Sequence, residues 1–164
     1  MPKVKNILFI MCDQLRADYL SCAGHPRIET TNIDALASKG VLFSKAYCQA
    51  PICGGSRMSF YTGRYCFTHG ATWNGVPLNI GEQTIGDYLR PLDYRVTLVG
   101  KTHMTADTVA MKRLGIDSHS PYGVFASECG FEPYERDDGL WGNDDFAPDD
   151  LPYNKYLNAN GYKG

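Results

Sequence analysis

The stretch Asn6-Ile7-Leu8-Phe9-Ile10-Met11 is apolar after its first residue and stops abruptly at Cys12-Asp13-Gln14. A short apolar run without alternation suits a strand covered on both faces, and such strands belong to parallel sheets packed between helices. The sequence therefore predicts a first strand over residues 4–11. Thr31 can cap a helix that carries Ile33, Leu36 and Ala37 on one face and stops at Gly40. Residues 41–47 read as extended. Beyond Pro51 and the loosening pair Gly54-Gly55, a helix is predicted over residues 56–62, ended by Gly63. Thr84 opens another helix through Ile85, Tyr88 and Leu89, closed by Pro91, and residues 95–99 form a second central-strand candidate ending in Gly100. Strands alternating with helices predict an α/β fold with a mostly parallel central sheet flanked by helices. In such sheets ligands bind beyond the carboxyl ends of the strands, which brings Asp13 and Lys101 toward one site.

The 164 residues are enough for one domain, and a formal net charge of -2 offers no electrostatic case for nucleic acid or membrane surfaces. No apolar run is long enough to span a bilayer. The first apolar run follows Lys3 and Lys5 as in a signal peptide, but it leads into Asp13, Gln14 and Arg16 with no small-residue cleavage site. A buried strand fits better, and the expected compartment is the cytoplasm. The six cysteines, at 12, 22, 48, 53, 66 and 129, form no C-x-x-C pair, which argues against a zinc knuckle. All but Cys53 read as small buried hydrophobes. From Glu128 to Asp150 lie nine of the eighteen acids and a single base, Arg136. This tail reads as solvated irregular surface; Asp144-Asp145 lacks the spacing of a calcium loop.

The decisive stretch is Ala50-Pro51-Ile52-Cys53-Gly54-Gly55-Ser56-Arg57-Met58-Ser59-Phe60-Tyr61-Thr62-Gly63-Arg64. Cys53 precedes the predicted helix, so free backbone N–H groups and the positive helix end surround it, a setting that suits an anion. Arg57 lies one helical turn on and can reach back toward Cys53. The C-x3-R spacing counts against tyrosine phosphatases, whose loops use C-x5-R. A structural cysteine beside a surface arginine fits these facts equally well.

C-x-x-S-R, a hydrophobic run and Thr-Gly-Arg together resemble the sulfatase signature. In that family the cysteine is oxidised after translation to formylglycine. The aldehyde hydrates to a geminal diol, one diol oxygen attacks sulfur or phosphorus, and the covalent intermediate collapses by restoring the aldehyde. A hemiacetal has this internal leaving route, which a serine-type ester lacks. The segment from Asn6 to Arg16 resembles the family's first strand and metal loop, and the pair Asp13-Gln14 is similar to the choline-sulfatase and phosphonate-monoester-hydrolase branch. Thr31-Asn32-Ile33-Asp34-Ala35-Leu36-Ala37 matches the family's first helix. Gly100-Lys101-Thr102-His103 resembles its G-K-x-H motif, and Trp73-Asn74-Gly75 falls where this branch carries an asparagine that contacts the transferred group. Asn before Gly is also a common turn pair. His25, His69 and His119 have no such match and are read as structural. The likeness covers residues 4–104 well. Gly55 stands where the signature usually has Pro, and Asp93 where a Gly commonly precedes the Tyr.

The resemblance implies an alkaline-phosphatase-like fold, incomplete in this chain. Residues 1–127 would be the N-terminal part of the catalytic domain, and residues 128–164 an acidic irregular segment of it. It implies a sulfuric ester hydrolase acting on small-molecule sulfate monoesters, inactive as the isolated chain. A phosphonate monoester or phosphodiester hydrolase, and a non-catalytic fragment that keeps the fold, are the alternatives. One divalent ion (Ca, Mn or Mg) would be held by Asp13, Gln14 and the formylglycine made from Cys53. Arg57 would hold the modified side chain. Lys101 would bind the substrate anion, Asn74 the transferred group, and His103 would act as base when the hemiacetal breaks. Further expected partners are the remainder of the catalytic domain and, as an open possibility, a second copy of the chain; neither nucleic acid nor membrane is expected.

Overall fold

The computed structural model describes residues 5–136 and 152–162. The chain divides into two compact units, Met1–Tyr47 and Cys48–Gly164. In the first, helix α1 spans Thr31–Lys39 and stops at Gly40 as expected. Its cap is Thr30 rather than Thr31. The cause lies in Asp34, one turn into the helix. Its carboxylate accepts from the Thr30 hydroxyl at 2.9 Å, from the Ser21 hydroxyl at 2.5 Å and from the Cys22 N–H at 2.9 Å. These bonds, the one from Ser21 foremost, hold the Asp34 carboxyl below its usual range.

The first predicted strand is not formed. Residues 5–12 belong to no strand, and Leu8 and Ile10 are 85% and 72% exposed. A strand exists only as part of a ladder, and the one ladder among the described residues lies elsewhere. The apolar run thus carries the composition of a buried strand without its cover. The strand-end rule consequently says nothing about Asp13 here.

The second unit holds the sheet. Strand β1, Thr97–Gly100, pairs in parallel with β2, Glu132–Arg136, through a register irregularity between Leu98 and Val99. Helices α5 (Thr108–Arg113) and α6 (Pro121–Ser127) fill the crossover, as parallel pairing requires. The expected α/β class with a parallel sheet is thus present. Pro133 within β2 suits an edge strand. This strand and helix α7, Pro152–Ala159, lie within the segment 128–164 that was expected to be acidic and irregular. Asp144-Asp145 lies outside the described residues.

Helix α2 runs over Cys53–Thr62 and ends at Gly63, whose φ of 67° is the left-handed stop that glycine adopts freely. It is followed by α3, Cys66–His69, and, after a turn at Trp73–Val76, by α4, Ile85–Leu89. Thr84 caps α4 as expected, its N–H and hydroxyl both 2.9 Å from the Asp87 carboxylate. The core gathers around the inner face of α2. Met58 and Tyr61 are buried with Phe131, Met104 and Cys129, and the Tyr61 and Phe131 rings meet edge to face at 5.0 Å.

Candidate active site

Cys53 is the first residue of α2, three residues earlier than expected, with extended Ile52 as its cap. Two glycines in a first turn cost helix stability, on the order of 1 kcal/mol each against alanine. Tertiary contacts explain why the helix nevertheless starts here. The side-chain oxygen of Asn74 accepts the Gly54 N–H at 2.8 Å, satisfying one of the donors a helix start leaves open. Asn74 thus caps α2 from a turn twenty residues away. Its amide oxygen is committed, so the NH2 group is its remaining polar face. Glycine at 54 eases this approach, since a Cβ there would lie 3.0 Å from both Asn74 Oδ1 and the Trp73 carbonyl. A Cβ at Gly55 would sit 3.2 Å from Ala50, from Cys66 Sγ and from the Thr72 carbonyl.

Arg57, one turn along, is buried. Its Nη1 donates to the Lys101 carbonyl at 2.7 Å and lies 3.4 Å from the Tyr61 hydroxyl. This ties α2 to the residue that directly follows β1. Arg136, at the end of β2, donates to the Met104 carbonyl at 3.1 Å and pairs with Glu128 at 2.6 Å. Two arginines therefore hold the segment 101–104 by its backbone at both ends. Within it Thr102 and Met104 are buried, while Lys101 and His103 are half-buried. Lys101 and His103 thus alternate in burial with Thr102 and Met104. The cause is not strand alternation, because His103 has a φ of 54°. A non-glycine residue in that region stores strain of about 1–3 kcal/mol and persists only where its surroundings impose it.

Cys53, Arg57, Asn74, Lys101 and His103 all belong to the second unit, and Asp13 and Gln14 to the first. Asp13 and Gln14 are exposed, and Gln14 has a φ of 53°. Both offer oxygen donors of the type a hard divalent cation takes, so the donor chemistry fits such an ion. Among the described residues no group of three or more His, Cys, Asp or Glu side chains could hold a metal.

Two further side chains support this part of the chain, the second of them already expected to be structural. One is Arg136, whose grip on the Met104 carbonyl is a long-range contact with no local signature. The other is His69, which is 1% exposed. Its Nε2 is 2.9 Å from the Ser59 hydroxyl, and its Nδ1 faces the Ala71 N–H at 3.2 Å. Burial, above all, lowers its pKa; Arg64 lowers it further and Glu82 opposes.

The helix that begins at Cys53 is joined through Arg57 to the residue after a parallel strand, and the relatives of this α/β chain place it in the alkaline phosphatase superfamily. More closely, residues 5–158 match the Sulfatase family model, and the chain belongs to the sulfatase family. It is 39% identical over 123 residues to an arylsulfatase of Clostridium perfringens, covering 74% of this chain and 25% of that protein. The phosphonate monoester hydrolase of Silicibacter pomeroyi superposes with a TM-score of 0.72 at 28% identity, over 98% of this chain and 30% of that one. That of Agrobacterium radiobacter gives 0.62 at 32% identity, over 76% and 24%. The chain thus spans a quarter to a third of the length of these relatives.

Proposed function

We propose that this chain is the nucleophile-bearing part of a metal-dependent sulfatase that hydrolyses sulfate monoesters through formylglycine at Cys53. The observation that carries the reading is the seating of Cys53 on the first turn of α2, with Asn74 capping that turn and Arg57 bound to the Lys101 carbonyl. The helix start favours an anion beside the residue at 53. There the hydrated aldehyde offers two hydroxyls. One would attack sulfur, its proton passing to the departing alcohol oxygen; His103 would take the proton of the other as the carbonyl re-forms and the bond to the sulfate oxygen breaks. Lys101 and the Asn74 NH2 group bind the anion, and Arg57 keeps the modified side chain in place. Asp13 and Gln14 would hold the divalent ion, which supplies Lewis-acid stabilisation of charge. Asp13-Gln14 and Asn74, with the likeness to two phosphonate monoester hydrolases, favour phosphonate monoesters as the second reading.

The rest of the catalytic domain would complete the ligand set and cover the apolar residues that Leu8, Ile10, Val41 and Phe43 expose. Turnover of an aryl sulfate against a phosphonate monoester, by protein carrying this chain within its whole domain, tests the proposal. Sulfate turnover abolished by Cys53→Ala supports it, and turnover that survives the substitution contradicts it.

A further inference from the structure

We infer that His69, with its proton on Nε2, is a positioning residue for the turn that carries Cys53, acting through Ser59 on the Gly55 carbonyl. The inference rests on the reading of Cys53 as the nucleophile.

The hydrogen bonds define a single arrangement of protons. The Ser59 hydroxyl donates to the Gly55 carbonyl at 2.9 Å, using its only hydrogen. Its oxygen must then accept in the 2.9 Å contact with His69 Nε2, so that nitrogen carries the proton. Nδ1 faces the Ala71 N–H at 3.2 Å and must be the acceptor. A doubly protonated ring would set N–H against N–H at Ala71. The neighbouring charges are Arg64 and Glu82, paired with each other, the first opposing protonation and the second favouring it. Burial is the largest influence and opposes protonation.

The relay ends where the backbone is weakest. Gly54-Gly55 directly follows Cys53 and has the widest conformational freedom of any dipeptide. Asn74 holds the N–H of Gly54, and the Ser59–His69 pair holds the carbonyl of Gly55. His69 also fixes the backbone at Ala71, which begins the segment leading to Asn74. One imidazole thus braces both partners of the Cys53 turn.

The test uses the 164-residue chain. Proton-detected nitrogen correlation spectra of 15N-histidine protein should show His69 as the neutral Nε2–H tautomer above pH 6.5, the ordinary histidine value. His69→Gln keeps a donor at the Nε2 position, whereas His69→Asn keeps only an acceptor at the Nδ1 position. Amide exchange at Gly54, Ser56 and Ser59 should be near unchanged in the Gln variant. It should rise about tenfold or more in the Asn variant, with Thr97–Gly100 unaffected. The Nδ1–H tautomer above pH 6.5, or equal exchange in the two variants, overturns the inference. The tautomer is read on the unsubstituted chain, so a variant that fails to fold does not rescue the idea. No arm reads turnover, and failure of the hydrolase reading would be seen separately.

Discussion

Arg57 Nη1 donates to the Lys101 carbonyl at 2.7 Å, and this bond joins the helix that begins at Cys53 to the segment that carries Lys101 and His103. Arg57 is 5% exposed, so its charge is satisfied by what it touches and not by water. Truncation would leave a part-buried carbonyl without its charged donor. Arg57→Ala should therefore lower stability by about 2 kcal/mol, the scale of a hydrogen bond to a charged group. Urea unfolding measures it, and an unchanged midpoint would show the bond to be absent in solution.

Asn74 separates two roles that one side chain combines. Asn74→Asp keeps an acceptor for the Gly54 N–H and adds negative charge at a helix start, which is favourable there. Its stability should equal or exceed that of the parent. The carboxylate has no N–H to offer an anion, and repels one. Within the whole domain its sulfatase turnover should fall by at least about tenfold, the effect of one lost charge-assisted contact. Asn74→Ala should lose about 1 kcal/mol, as a missing helix cap does. Unfolding curves and initial rates on the two variants check both halves.

The glycines at 54 and 55 differ in tolerance. Alanine at 54 would put its Cβ 3.0 Å from the Trp73 carbonyl, which is backbone and cannot step aside cheaply. At 55 the nearest atoms are 3.2 Å away and include the Cys66 and Ala50 side chains. Gly54→Ala should destabilise by about 1–3 kcal/mol despite the better helix propensity of alanine. Gly55→Ala should cost less. The reverse order in unfolding midpoints would contradict the packing of the 73–74 turn on α2.

His69 also ties stability to pH. Its folded-state pKa is lowered from 6.5, chiefly by burial, so below that value the unfolded chain binds a proton that the folded chain refuses. The contribution is present above pH 6.5 and is lost as pH falls from 6.5 through the lowered folded value. The carboxyls of Asp34, Asp117 and Glu132 are lowered too, and their contributions disappear only in the acid range, as pH falls through their depressed values. The urea midpoint should drop between pH 7 and pH 5, and His69→Gln should flatten that slope. An equal slope in both proteins would remove His69 as its source.

Much of the second unit was legible because its signals are local. The left-handed stop at Gly63 and the Thr84 cap each depend on residues close in sequence. Even Asp93 fits, since its φ of 63° is what the glycine common at that position would adopt without strain. What was not legible depends on distant partners. Helix α2 begins at Cys53 because Asn74 caps it, whereas two glycines argue locally for a later start. Arg57 was expected to reach back toward Cys53, and its spacing could not reveal a bond forty-four residues ahead, to Lys101. Residues 5–12 have the composition of a covered strand, but composition does not supply the neighbouring strand that would make them one.

The central claim is that Cys53 works as formylglycine, and one measurement meets it directly. Active protein carrying this chain within its whole domain is digested, and the peptide that ends at Arg57 is weighed in preparations of differing specific activity. The account predicts a peptide in which the Cys53 thiol is replaced by an aldehyde, with sulfate turnover rising in proportion to the aldehyde fraction. An unmodified Cys53 throughout, with turnover independent of any aldehyde, would contradict it.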